Sequence, residues 1–339
     1  MTRDESFKPN TTSGDGLDSA ERQPILPRIG IVAIADAGRC MLPRLVASLP
    51  TRTGTVEINT YAAHATDPHI CANQTILIGD GVGSLPSPKV VREIAISHLP
   101  AIRAAISCFD IVIIIAAMDG STGTGVAPFV AEVARRAGVF TIGAAILPLS
   151  VKGHRQQVKA SLDFEAFQRN CDAALRLANA CFDLNAYRNS PLDLSLDDIA
   201  ETVFQLHECV RRTIAGDGPL ALAFEDLRLI LTKTGTAALG FAKGSIADPI
   251  DDIALLALAH PLLGLHRLKQ ARGVVVSIGS RPNTVKLSHS QMILNAVRMH
   301  VHPDAQVAYA THIDSRLKHD VEIAVLATGI PNVSMESSV

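Results

Sequence analysis

The stretch AAMDGSTGTGVAPFVAEVARRAGVFTIGAAILP, residues 116–148, decides how the rest of the chain is read. The apolar run DIVIII enters it and reads as a fully buried strand. Gly120, Gly123 and Gly125 then fall at a strand-to-helix junction. Without a β-carbon, a backbone turns tightly and presents its N–H groups outward. Those groups, with the positive end of the helix that follows, suit an anion such as phosphate. Ser121, Thr122 and Thr124 add hydroxyl donors. A plain glycine turn closing a βα unit would use the same glycines. Residues 126–137 are expected to form the helix, with Val126, Val130, Val133 and Ala137 on one stripe and Gly138 as its stop. VFTIGAAILP, residues 139–148, returns as a strand.

Outward from this unit the same alternation continues. RIGIVAIA at 28–35, TVEINT at 55–60 and DIVIIIAA at 110–117 read as strands, while 37–49 and 87–106 read as helices. Short apolar strands alternating with helices imply a parallel sheet covered on both faces, with ligands at the carboxyl ends of the strands. A long helix is expected at 195–215, because Leu196, Ile199, Val203, Leu206, Val210 and Ile214 recur at steps of three and four. Beyond it, helices at 251–260 and 288–301 and strands at 273–280, 305–313 and 321–330 make a smaller α/β unit. The fold class is therefore α/β: a parallel-sheet domain at 29–194 that carries the phosphate-suited glycine loop, the central helix, and a second α/β domain at 216–330. Residues 1–28, rich in Ser, Thr, Asp, Gly and Pro, are expected to be a disordered tail, and 331–339 a short one.

Composition narrows the function. The chain has 339 residues, 19% charged and 47% hydrophobic, with a formal net charge of −2. That balance provides no field to attract nucleic acid or an anionic membrane. The absence of Trp and an aromatic content of 4% argue against base-stacking surfaces. Six cysteines without a CxxC pair read as reduced cytoplasmic thiols rather than a disulfide frame or a zinc site. His300 and His302 would share one strand face, but spacing fixes no further ligands, so no metal site is assigned. No GxxxxGK[ST] is present, which excludes a P-loop enzyme. The strand after the glycine unit lacks the terminal acid of a dinucleotide fold, which argues against a dehydrogenase.

Residues 116–148 closely resemble the tubulin/FtsZ signature, GGGTGTG followed by APxxAE. VEINTYAAHA resembles the family's INTDAQAL segment, GDGVGSLPSPKVV its GxGAGxxPEVG loop, and LTKTGTAALGFAKG its MGxAxMGxGxxxG stretch. The likeness runs in order from Ile29 to Ile330. It implies GTP or GDP in the first domain, with Mg²⁺ as a candidate companion. The implied contacts are Gly38, Asn59, Thr60, Gly81, Gly83, Gly120, Ser121, Thr122, Gly123, Thr124 and Gly125, with Asn179 toward the base. It also implies a cytoplasmic protein that stacks head to tail, alone or with a paralogue. A loop after the central helix would then complete the neighbour's active site. Kinship points to cell division.

The departures cluster where nucleotide would touch. The family's first phosphate loop, GVGGGG, here reads AIADAG at 33–38, keeping Gly38 and introducing Asp36; Asp119 replaces another glycine. Like charges about 4 Å apart cost roughly 4 kcal/mol at an effective dielectric of 20. A cation could sit between them, or both carboxylates could face solvent in an abandoned site. The ribose segment PFxxEGxxR matches PLSVKGHRQ, with Lys152 for the acid and Gln156 for the arginine, although Arg155 stands beside it. On the central helix the guanine-holding Phe and Asp become Ala200 and Gln205. The catalytic pattern NxDxxD becomes ALAFED, with Ala221 and Ala223 in place of Asn and Asp. Asp226, with Glu225 beside it, remains as the candidate catalytic pair. Hydrolysis is therefore expected to be weak or lost. A nucleotide-free binding module on the same fold is the alternative. PNVSMESSV follows the last strand and offers no recognisable adaptor-binding tail; direct membrane binding is not expected either, because the longest apolar runs, such as IVIIIAAM, stop well short of a membrane span.

Overall fold

The computed structural model describes residues 26–61, 72–81, 83, 87–148, 154–178, 192–215, 218–233 and 235–331. The two expected tails lie outside these residues apart from 26–28 and 331. Strands β1 (Ile29–Ile34), β2 (Gly54–Asn59), β3 (Gln74–Leu77), β4 (Ile111–Ala117), β5 (Phe140–Leu147) and β6 (Ala173–Ala178) form the first half of a sheet. They are joined by helices α1 (Ala35–Val46), α2 (Pro88–Ser97), α3 (Leu99–Ile106), α4 (Ser121–Arg136) and α5 (His154–Gln168). Helix α6 (Leu192–Ile214) leads to α7 (Phe224–Leu231) and β7 (Thr236–Gly244). The chain continues through α8 (Ile250–Leu258), α9 (Leu265–Leu268), β8 (Gly273–Ser280), α10 (Leu287–His300), β9 (Gln306–Ile313) and β10 (Val321–Ile330). Among the described residues the ten strands make one sheet in the order β3-β2-β1-β4-β5-β6-β7-β10-β8-β9.

Strands β1 to β6 pair in parallel, as their unbroken apolar composition demands: every residue of β1 is buried, and so are all but the last of β4. The second half is mixed, because β10 runs antiparallel to both β7 and β8 while β8 and β9 are parallel. Among the described residues the two halves meet through a single parallel pair, Leu175 with Ala237. One face of the sheet is covered by α1, α6 and α7, which bury Leu42, Leu45, Val203, Leu206 and Leu227. Helices α2 to α5 cover the other face of the first half. A separate core under α8 and α10 holds the second half together. Because α6 touches α1 as well as β8, β9 and β10, it crosses the junction that the sheet itself barely bridges.

Several sequence expectations need correction. The helix expected at 126–137 begins at Ser121: the Thr124 N–H donates to the Gly120 carbonyl at 3.2 Å, so the Gly/Thr stretch is already wound. The helix expected at 87–106 is two, since Pro100 near the start of α3 has no N–H for the preceding turn. The central helix is Leu192–Ile214 rather than 195–215. His300 and His302 share no strand face: His300 ends α10, and His302 lies in the turn that follows. The sequence reading assigns no element at β3, α5, β6, β7 or α9, most of which are short or carry weak periodicity, whereas a helix with Glu225 and Asp226 in its first turn is expected and found as α7.

Candidate functional site

The strand order reverses direction between β1 and β4: from β1 the chain builds outward to β3, then returns to place β4 on the other side. Crevices for ligands open at the carboxyl ends of strands at such a switch point. Helices α1 and α4 both begin there, one immediately after Ile34 and the other four residues after Ala117. Gly120 is the N-cap of α4, with extended backbone at φ −119° and ψ 156° and no side-chain capping bond. A β-carbon built on Gly120 meets nothing within 4 Å. Space is therefore open beside the N-cap of a 16-residue helix, and the amino end of a helix favours an anion.

The other signature glycines have a different cause. At Gly123 a β-carbon would stand 2.1 Å from the Ala117 carbonyl oxygen, and at Gly125 it would stand 2.4 Å from that of Pro88. Both are buried where α4 presses on β4 and α2. Their role is close packing, not the presentation of loop amides. Thr124 turns its hydroxyl back to the Gly120 carbonyl at 2.8 Å. Thr122 meets Thr60 at 3.1 Å, oxygen to oxygen, tying α4 to the end of β2. Asn59 accepts from the Thr60 N–H at 2.8 Å. Gly83 (φ +108°) donates its N–H to the Thr60 carbonyl at 3.2 Å, while Gly81 is buried nearby in sequence at φ +78°. Gly38 is buried in α1, where a β-carbon would reach the Ala33 backbone at 2.9 Å. Asn179 lies outside the described residues, as does Lys152.

At the first loop, Ala35 takes φ +59°, a left-handed conformation that costs an alanine about 1 kcal/mol. Asp36 follows in the first turn of α1, 69% exposed at its side chain. Its carboxylate accepts from the Asn59 amide at 3.3 Å and stands 3.5 Å from an Arg39 nitrogen. Asp119 is exposed as well. Glu57, two residues before Asn59 on β2, is 2% exposed and accepts from the same amide at 3.4 Å. Sequence reading passed over both Arg39 and Glu57. Arg39 was accessible to periodicity, since it lies three residues before the buried Leu42 on α1.

Base recognition fits less well. Ala200 and Gln205 are buried on α6, and the Gln205 amide donates to Glu201 at 2.9 Å. Glu201 also accepts from Lys243 at 2.6 Å, so its carboxylate is engaged within the fold. Arg155 and Gln156 lie exposed in the first turn of α5.

The candidate catalytic pair stands elsewhere. His207 on α6 meets the Thr53 hydroxyl at 3.0 Å, beside the amino end of β2, and α6 runs on for two more turns. The loop at 218–223 therefore lies at the end of the molecule away from Gly120. Its backbone is fixed: Leu220 receives the Thr311 N–H at 2.9 Å, and the Leu222 N–H donates to the Thr213 carbonyl at 3.0 Å. Ala221 and Ala223 are exposed. Glu225 and Asp226 sit exposed in the first turn of α7, where the helix dipole favours acids. No group of three or more His, Cys, Asp or Glu among the described residues is placed to hold a metal ion. No helix among them is long and apolar enough to cross a membrane.

Two family models match: the GTPase domain of the tubulin/FtsZ family over residues 53–182, and the C-terminal domain of the FtsZ family over 235–331. Cell division protein FtsZ 1 of Pyrococcus horikoshii is 28% identical over 312 residues, covering 91% of this chain and 82% of the relative. An empty FtsZ dimer from M. jannaschii superposes with a TM-score of 0.78 at 26% identity, over 89% of this chain and 88% of that one. A GTPγS-bound protofilament of CetZ2 from Haloferax volcanii reaches 0.71 at 20% identity, over 89% and 93%, which shows a shared fold.

Proposed function

The chain belongs to the tubulin/FtsZ family, and from that premise we propose that it is a GTP- or GDP-binding cytoskeletal protein that hydrolyses GTP weakly or not at all. One contrast carries this reading. The open amino end of α4 at Gly120 is kept, while Ala221 and Ala223 stand where an attacking water would need polar side chains. Such positioned groups are worth about 10²–10⁴-fold in rate. The phosphate side fits a nucleotide through Gly120, Ser121, Thr122 and the α4 dipole. Guanine selectivity is expected to be relaxed, because neither Ala200 nor Gln205 offers a carboxylate to the ring. Mg²⁺ would supply charge neutralisation beside the phosphates.

The two ends of the molecule suit head-to-tail stacking, with the amino end of α4 from one copy against the 218–226 segment of the next. We place this assembly in the cytoplasm, formed by the chain alone or with a paralogue, and connect it with division through the relatives. Acid release of nucleotide from gently purified protein tests the ligand. Stoichiometric GDP or GTP supports the reading, and an empty site removes it. Phosphate release as fast as that of an ordinary family GTPase would remove the catalytic half. A second reading, a nucleotide-free binding module, draws on Ala35 and Asp36 in the first loop, and the same assay decides between the two.

A further inference from the structure

Arg39 is an odd residue for the place it holds. Its side chain is only 15% exposed, on the same helix as the buried Leu42 and Leu45. One guanidinium nitrogen, Nη2, lies 3.5 Å from the Asp36 carboxylate, at the outer edge of an ion pair. The other, Nη1, is buried without a hydrogen-bond partner. A buried charged donor left unpaired costs more than an ordinary missing hydrogen bond. Such a group marks a place where an acceptor belongs.

Contacts around it identify the kind of acceptor. Asp36 holds the Asn59 amide, Asn59 receives the Thr60 N–H, and the Thr60 hydroxyl meets Thr122 in the first turn of α4. Arg39 is thereby joined through Asp36, Asn59 and Thr60 to Thr122, in the first turn of the helix whose N-cap, Gly120, has open space beside it. This corner carries Asp36, Asp119 and the buried Glu57, all unfavourable to a phosphate group. A guanidinium presents planar paired donors that match phosphate oxygens, and it stays charged when buried.

We propose that Arg39 is a phosphate-binding residue of this site, the cation that receives a nucleoside di- or triphosphate and offsets the acids introduced at its first loop. The proposal rests on the nucleotide-binding reading above and specifies how an acidified loop could still hold the ligand. On binding, Nη1 gains the acceptor it lacks, and Asp36 becomes the group that steers the guanidinium rather than its final partner.

The test is equilibrium binding of GTP, GDP and inorganic pyrophosphate to the full chain and to R39Q, R39K and D36N, with melting temperature measured in parallel. R39Q should weaken GTP at least tenfold and pyrophosphate similarly. R39K should lose less than R39Q, and D36N, a change at an exposed position, should tighten both ligands severalfold. If R39Q fails to fold, R39K and D36N carry the test. Equal affinity for GTP in wild type, R39Q and D36N would overturn the assignment while leaving the nucleotide reading intact. Binding of pyrophosphate but not of GTP or GDP, lost in R39Q, would keep Arg39 as an anion ligand and remove the nucleotide. Binding of none of the three by wild type would overturn both. A purely structural role would lower the melting temperature of R39Q without separating R39K from it in affinity.

Discussion

A methyl group added at Gly123 would sit 2.1 Å from the Ala117 carbonyl oxygen, whereas one added at Gly120 meets nothing within 4 Å. In the sequence the two look alike; in the fold one is forced by packing and the other by nothing inside the molecule. Gly123→Ala is therefore expected to cost about 1–3 kcal/mol of stability in urea titration. Gly120→Ala should remain within about 0.5 kcal/mol of wild type while weakening nucleotide, because the new methyl takes up the open space beside the amino end of α4. Equal stability losses for both would contradict this division. The spacing of the glycines identified the right corner of the chain, but their individual reasons depend on which neighbour approaches, and Pro88 is 37 residues from Gly125 in sequence. Arg39 illustrates a related cause: composition marks it as a surface cation, its spacing of three from Leu42 turns it toward the buried side of α1, and packing of that helix leaves its side chain 15% exposed.

Element boundaries follow local hydrogen bonds more than apolar periodicity. The apolar stripe that begins at Val126 sets the expected start of α4 there, yet the Thr124 hydroxyl and N–H both close onto Gly120 and draw the start back to Ser121. The strands of the first half were readable because unbroken apolar runs admit few other fates; β6 and β7 were not, since each mixes Ala with a charged residue. At the opposite end, the 218–222 backbone is pinned to Thr311 and Thr213, so side chains there can change without moving the chain. Ala221→Asn combined with Ala223→Asp is expected to leave the melting temperature nearly unchanged. The double variant should raise phosphate release at least tenfold in conditions where copies associate, as restored polar groups orient water. A double variant as inactive as the parent would show that the missing step lies elsewhere, with the altered first loop as the next suspect.

Across the whole molecule, α6 is tied to the second half of the sheet by a buried ionic cluster. Glu208 accepts from Arg211 at 2.7 Å and from Arg212 at 3.0 Å, and Arg212 reaches Glu322 on β10 at 2.8 Å. His207 contacts Glu208 on one side and Thr53 on the other, extending the cluster into the first half. Burial pushes the Glu208 carboxyl up, but hydrogen bonds from Arg211 and His207 and the two arginine charges prevail and hold it well below the usual range. A carboxyl whose folded value is depressed stabilises the fold above its unfolded value of about 4.3 and loses that contribution as pH falls toward the folded value. Stability should thus be flat in this respect from neutral pH to about 5 and decline below about 4.3, with the decline reduced in Glu208→Gln. Arg212→Met leaves two buried carboxylates without their shared cation, and about 3–5 kcal/mol of stability should be lost. Acid titrations followed by circular dichroism measure both.

Among the described residues, one pair, Leu175 with Ala237, carries the backbone ladder from one half-sheet to the other. Mechanically this makes the protein two stiff plates on a pin, with α6 as the pin and its ionic cluster as the catch. Tension applied along a stack of such units would reach the joint before it could unzip either plate. In an optical trap, with handles on β2 and β9, the first extension step should come at low force and be reversible, and it should grow easier in Arg212→Met. A single all-or-none rupture would show that the plates share load despite the narrow seam.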